Sequence, residues 1–231
     1  MHWTIPNILT VLRLLAAPGV AVMFLYFIRP WADWFAMLLF IGAAATDWFD
    51  GYIARAWKLE SRFGAMLDPI ADKAMVVIAL LVITGFSAVD PLIGRIGVDP
   101  WILLPATVIL FREVFVSGLR EFLGDKAHTL KVTKLAKWKT MLQMVAIAVL
   151  FAKGIFEHNV IARTVGMDAA MVDGIMTGQV SDEVGLVWNY TAAIYTWWIG
   201  VGLLWIAAAL TLISGIDYFR KSLPFFREDE A

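Results

Sequence analysis

Residues 46–73 read TDWFDGYIARAWKLESRFGAMLDPIADK, and four aspartates, Asp47, Asp50, Asp68 and Asp72, stand there between two long apolar runs. On a helix, positions three or four apart share a face, so Asp47 points with Asp50 and Asp68 with Asp72. Two helices meeting at this stretch would aim four carboxylates at one place. Like charges held that close repel, and in a low-dielectric site they stay ionised only with cations between them. All-oxygen ligands suit hard divalent ions such as Mg2+ or Mn2+ rather than zinc or copper. The stretch therefore predicts a site for two divalent ions carried on two helices.

The surrounding chain is apolar. Its 231 residues are 61% hydrophobic and 17% charged, with a mean hydropathy of +0.75, whereas a soluble domain is about one quarter charged. An all-α polytopic membrane protein follows. A hydrocarbon core of about 30 Å takes about 20 apolar residues per helix, so the length accommodates roughly six spans. They are expected at about 8–28, 34–55, 66–84, 101–122, 138–156 and 191–213, in a single membrane-embedded domain over 1–231. A short interfacial segment at 1–7, with Trp3 and Pro6, precedes them. No basic segment precedes the first apolar run and Arg13 interrupts it, so it reads as a retained span. Residues 157–190 mix Gly, Asp, Met and Val without a long run and read as a loop with one or two short interfacial helices. The absence of cysteine excludes disulfides, thiolate metal ligands and cysteine nucleophiles. His2, His128 and His158 have no zinc spacing, and no nucleic-acid partner is expected.

Basic residues orient the chain. With six alternating spans, Arg55, Lys58, Arg62, the cluster from Arg120 to Lys139 and the tail residues Arg220, Lys221 and Arg227 fall on one side. The opposite loops carry Arg29, Arg95, Lys153 and Arg163. By the positive-inside rule both termini and the four aspartates face the cytoplasm. No Pro or Gly cluster ends the second span, so its helix continues through Asp47 and Asp50, while Pro69 sits near the start of the third, where proline is tolerated. Arg13 lies inside the first span, where a charge costs about 2.5–3.5 kcal/mol unless paired. It either snorkels to the near interface or faces the polar site. Arg112 lies well inside the fourth span and needs a partner, and the adjacent Glu113 is not on its helical face.

Chemistry follows from placement. Two divalent ions at a membrane surface can bind a pyrophosphate and hold both the attacked phosphoryl group and the leaving group. Gly51, Ala54 and Gly64 are small enough to let a nucleotide or diphosphate approach the backbone. Arg112, Arg120, Lys134 and Lys137 are candidates for a second phosphate. The lysines are equally the ordinary content of a cytoplasmic loop or an anionic-lipid contact. One aspartate beside the ions could take a proton from an incoming hydroxyl.

The pattern Asp47-x2-Asp50-Gly51-x2-Ala54-Arg55-x8-Gly64-x3-Asp68-x3-Asp72 resembles, without a gap, the signature of the CDP-alcohol phosphatidyltransferases. The resemblance implies a six-helix membrane fold, a homodimer, and transfer of a phosphatidyl or phospho-alcohol group from a CDP-linked donor to a hydroxyl with release of CMP. It implies that Asp47, Asp50 and Asp68 hold the metal ions and that Asp72 joins metal contact to general-base duty. Gly51, Ala54 and Gly64 would line the cytidine pocket, with Arg55 supporting the donor phosphates or bracing the carboxylates. Three further stretches are similar to one branch of the family, the bacterial phosphatidylglycerophosphate synthases: Ile5-Pro6-Asn7-x2-Thr10-x2-Arg13, the run from Asp68 to Lys73, and Arg112-Glu113-x3-Ser117-Gly118-x-Arg120-Glu121. That likeness implies CDP-diacylglycerol as donor, sn-glycerol 3-phosphate as acceptor, Asn7, Thr10 and Arg13 turned to the site, and a bacterial inner-membrane location. A cardiolipin synthase of the same fold would instead accept phosphatidylglycerol. A cation transporter or channel would place its charges near the midplane on repeated or broken helices, features this chain lacks. The segment 154–189 is longer than the family pattern needs.

Overall fold

The computed structural model describes residues 4–57, 62–90, 95–124 and 134–227. Seven helices occur there: α1 (Ile5–Tyr26), α2 (Trp31–Trp57), α3 (Arg62–Phe86), α4 (Pro100–Leu123), α5 (Lys134–Thr164), α6 (Ala169–Met176) and α7 (Leu186–Arg227). A two-residue antiparallel pair, β1 (Val89–Asp90) with β2 (Arg95–Ile96), sits in the α3–α4 connection, with Val89 opposite Ile96.

Local chemistry sets the helix ends. Pro6 falls in the first turn of α1, where its missing N–H would have no partner in any case. Asn7 is therefore already helical, and α1 begins inside the stretch expected to be a separate interfacial segment. Asp99 caps α4 by accepting the Trp101 N–H at 2.9 Å, and Gly124, at φ 51°, closes it. The carboxylate of Asp182 accepts the N–H groups of Leu186 and Val187 at 2.8 and 3.0 Å and so opens α7.

The segment 157–190 differs most from expectation. α5 continues to Thr164 and α7 starts at Leu186, leaving α6 as a single eight-residue helix between them. The charges that read as the end of a span are paired within the bundle: Lys153 donates to Glu157 one turn on at 2.6 Å, so the helix runs through them. Val160, Ile175 and Leu186 then close a small core of their own.

α1 lies against α2 and α3, α5 runs along α7, α4 packs on α7, and α2 crosses to α5. The main core interleaves bulky Phe40, Met75, Leu80, Ile147, Phe151 and Leu204 with Ala17, Ala36, Ala79, Ala146 and Ala207. Small residues let helices approach closely where lipid supplies no hydrophobic drive for association. At Gly200 on α7 a Cβ would come within 2.8 Å of the Leu150 side chain on α5. Leu12, Leu15, Leu25, Leu81, Phe111, Val114 and Trp198 point outward and exposed, the pattern of a lipid-facing surface. Among the described residues four helices are long and apolar enough to cross a membrane, within Asn7–Tyr26, Pro100–Leu123, Trp138–Thr164 and Leu186–Phe226, and Trp31–Thr46 is a shorter apolar helix.

Candidate active site

Asp68 and Asp72 lie one turn apart on α3 and turn towards α1. On α1, Asn7, Thr10 and Arg13 recur every three residues, and all three are buried. Thr10 Oγ1 donates to Asp68 Oδ1 at 2.6 Å, and Arg13 NH1 donates to Asp72 Oδ1 at 2.9 Å. Arg13 is 2% exposed while the Asp72 side chain is 42% exposed, so the guanidinium braces the carboxylate from inside and leaves it open to solvent and substrate. Pro69 sits between the two aspartates and withholds one backbone N–H from the α3 ladder. Gly64 is buried one turn before Asp68. Asp47, Asp50, Gly51, Ala54 and Arg55 belong to the helical backbone of α2, but their side chains lie outside the described residues. Among the described residues no group of three or more His, Asp or Glu side chains could hold a metal ion.

A second polar group joins α3, α4, α5 and α7. Arg112 NH1 lies 3.2 Å from Glu113 Oε1, and NH2 donates to Ser214 Oγ on α7 at 3.2 Å. Glu113 is not on the helical face of Arg112, since adjacent positions diverge by about 100°, but the two long side chains still meet. Lys139 of α5 also pairs with the Glu113 carboxylate. Lys73 donates to the Ser117 hydroxyl, which in turn donates to the Glu113 carbonyl. Arg120 stands over the Tyr218 ring of α7, 5.4 Å from its centroid. Arg112 and Arg120 thus both reach α7, at positions four apart. Lys134 and Lys137 begin α5, and their side chains lie outside the described residues. Among the described residues three cationic side chains meet one carboxylate here: Arg112 and Lys139 pair with Glu113, and Lys73 joins through Ser117, an excess of positive charge.

The model of the CDP-alcohol phosphatidyltransferases matches residues 3–213, which include the first polar group and the α3, α4 and α5 members of the second. The chain belongs to the CDP-alcohol phosphatidyltransferase family. Curated relatives within that family include a CDP-diacylglycerol--glycerol-3-phosphate 3-phosphatidyltransferase of Cereibacter sphaeroides, 62% identical over 231 residues and 100% of both chains. A protein of the same name from Rickettsia bellii is 36% identical over 96% of this chain and 97% of its own. Another, from Escherichia coli K12, is 35% identical over 77% of this chain and 90% of its own.

Sequence reasoning passed over Lys73, Ser117 and Lys139 as site-building residues. A usable signal was present: a glutamate inside one span and a lysine inside another each need an opposite charge, and Glu113 with Lys139 is such a match.

Proposed function

We propose that this chain transfers the phosphatidyl group of CDP-diacylglycerol to sn-glycerol 3-phosphate, giving phosphatidylglycerophosphate and CMP. The observation that carries it is the end-to-end identity of 62% with the Cereibacter enzyme of that name.

Family membership implies a divalent-cation requirement, and the donor set fits one. Asp68 and Asp72 offer only carboxylate oxygens, the ligands preferred by Mg2+ or Mn2+, and Asp72 is open enough for a hydrated ion to reach. With Asp47 and Asp50 they would hold two ions, which would neutralise the diphosphate and the departing CMP oxygen. Thr10 and Arg13 each engage one carboxylate oxygen and so fix the rotation of Asp68 and Asp72. In the transfer, the acceptor hydroxyl oxygen forms a bond to the lipid-side phosphorus, the bond from that phosphorus to the CMP oxygen breaks, and Asp72 takes the hydroxyl proton. Gly51, Ala54, Arg55 and Gly64 would receive the CDP portion. The acceptor's own phosphate goes to the surplus cations, with Lys73 and Lys139 joining Arg112 as its nearest candidates and Arg120, Lys134 and Lys137 at the rim.

We further propose six spans, α1 to α5 and α7, with the site and both termini on the cytoplasmic side of a bacterial inner membrane, and a homodimer. The excess of basic residues on that side supports this orientation.

Purified protein in lipid–detergent micelles with Mg2+ or Mn2+ should release CMP from CDP-diacylglycerol only when glycerol 3-phosphate is supplied. Release with phosphatidylglycerol and not with glycerol 3-phosphate would make it a cardiolipin synthase, and no release with either refutes the assignment.

A further inference from the structure

The end of the bundle away from the aspartates holds a charged group that the transfer reaction does not use. Arg29, in the α1–α2 connection, donates through Nε to Asp33 Oδ2 at 2.7 Å and through NH2 to Oδ1 at 3.0 Å. The same guanidinium lies 3.8 Å from Glu157 Oε2, and Lys153 donates to Glu157 Oε1 at 2.6 Å. Asp33 and Glu157 are only 2% and 3% exposed. Gly154 is what lets α5 come this near α2: a Cβ there would overlap the Asp33 carboxylate and crowd the Arg29 guanidinium. Beside the charges lies a cavity of about 40 Å³, lined also by Phe24, Ser87 and Phe151, space for a water or two.

Such a group is a poor way to gain stability. Burying each ion costs several kcal/mol, and apolar side chains of similar volume often serve as well or better. The bidentate Arg29–Asp33 pair spans four residues at the start of α2 and holds the guanidinium in one orientation there. That guanidinium's 3.8 Å approach to Glu157, and the seating of Gly154 against it and the Asp33 carboxylate, tie the start of α2 to α5. The oriented element is α2. Asp33 lies in its first turn, and α2 is helical without interruption from Trp31 to Trp57. Asp47 follows fourteen residues later, about 21 Å along the axis. By that lever a tilt of about 5° at Asp33 displaces the backbone at Asp47 by about 2 Å. A misplacement of about 1 Å can cost about 100-fold in rate.

We propose that Arg29, Asp33, Lys153 and Glu157, closed over Gly154, form a buried clamp that fixes the tilt of α2 on α5 and thereby positions Asp47 and Asp50 at the other end of the helix. The four are positioning residues, and the inference rests on the reading that α2 contributes to the transferase site.

The test replaces the clamp by apolar side chains, combining Arg29→Met, Asp33→Leu, Lys153→Met and Glu157→Leu, with Gly154→Ala as an independent variant that pushes α5 off α2. Each is compared with wild type by thermal unfolding, by kcat and both KM values, and by Mn2+ binding followed through the electron paramagnetic resonance signal of the free ion. The clamp predicts an unfolding midpoint near that of wild type for the apolar variant and a glycerol 3-phosphate KM within threefold. It also predicts a kcat at least tenfold lower and Mn2+ binding at least fivefold weaker in both variants. A folded variant with wild-type kcat and wild-type Mn2+ affinity overturns the proposal. If wild type itself releases no CMP, the transferase reading fails, and the Mn2+ comparison alone decides whether the clamp acts on the ion site.

Discussion

Replacing Arg13 by methionine separates the α1–α3 contact from the folding of the bundle. Arg13 is 2% exposed, so an unbranched apolar side chain fits its surroundings without burying a new polar group. Among its described contacts, what disappears is the charge-assisted hydrogen bond of 2.9 Å to Asp72, about 1.5–3 kcal/mol for a hydrogen bond to a charged group. Because the Asp72 side chain is 42% exposed, water takes over much of its solvation once the guanidinium is gone. The loss to stability therefore falls below that range, to about 1 kcal/mol. The reaction is affected more, since water cannot hold the carboxylate in one rotamer. If the full 1.5–3 kcal/mol acts in the transition state, kcat falls about 10- to 150-fold, at about 1.4 kcal/mol per decade. Arg13→Lys keeps the charge but loses the planar fork and should fall between the two. CMP release under saturating donor and acceptor gives kcat, and thermal unfolding in the same micelles gives stability. A folded Arg13→Met enzyme that turns over within threefold of wild type would show that Asp72 does not depend on this brace.

Asp72→Asn should abolish CMP release while the protein still binds CDP-diacylglycerol, measured by donor-induced thermal stabilisation; near-normal turnover removes the base assignment. Arg112→Ala should raise the KM for glycerol 3-phosphate at least fivefold and the donor KM much less, and equal effects on both would assign Arg112 to holding α4 on α7. Asp182, outside the spans, is held below the usual carboxylate range by the backbone N–H groups at the start of α7, chiefly that of Leu186. Its stabilisation is therefore present above the unfolded value of about 4 and lost as pH falls through the lower folded value. Asp182→Ala should lower the unfolding midpoint at pH 7, and the difference from wild type should shrink as pH falls below the unfolded value of about 4 and through the lower folded one; a difference that does not shrink on acidification would refute the cap.

What could be read from sequence divides along a physical line. Helices such as α1 and α4 announce themselves by long apolar runs despite the charges inside them, and the aspartate spacing is itself helical geometry, so both emerge from local pattern. Charges neutralised by partners far away in the chain do not. Lys153 and Glu157 read as the end of a span because Arg29, more than a hundred residues earlier, cannot be seen beside them. The pairing of Glu113 with Lys139 was invisible for the same reason, since Lys139 lies in another helix. Gly154 gives no local sign at all that it marks a close crossing of α2 and α5.

The two polar groups of the site share one helix, and that fixes their separation. On α3, Asp68 and Asp72 face Thr10 and Arg13 of α1, while Lys73, the next residue, reaches Ser117 of α4. One step along a helix is a turn of about 100°, so carboxylates and ammonium leave α3 in different directions from neighbouring Cα atoms. Ala71, just before Asp72 and Lys73, is fully buried. The proposed reaction brings together two anions that repel, a diphosphate and a phosphomonoester, and each needs compensation of its own. In that proposal metal ions held by the carboxylates would serve the diphosphate, and the side-chain cations would serve the acceptor. With Asp72 and Lys73 adjacent in sequence, the acceptor hydroxyl must span only the distance between consecutive faces of a single helix, a spacing set by backbone geometry and insensitive to how the outer helices shift.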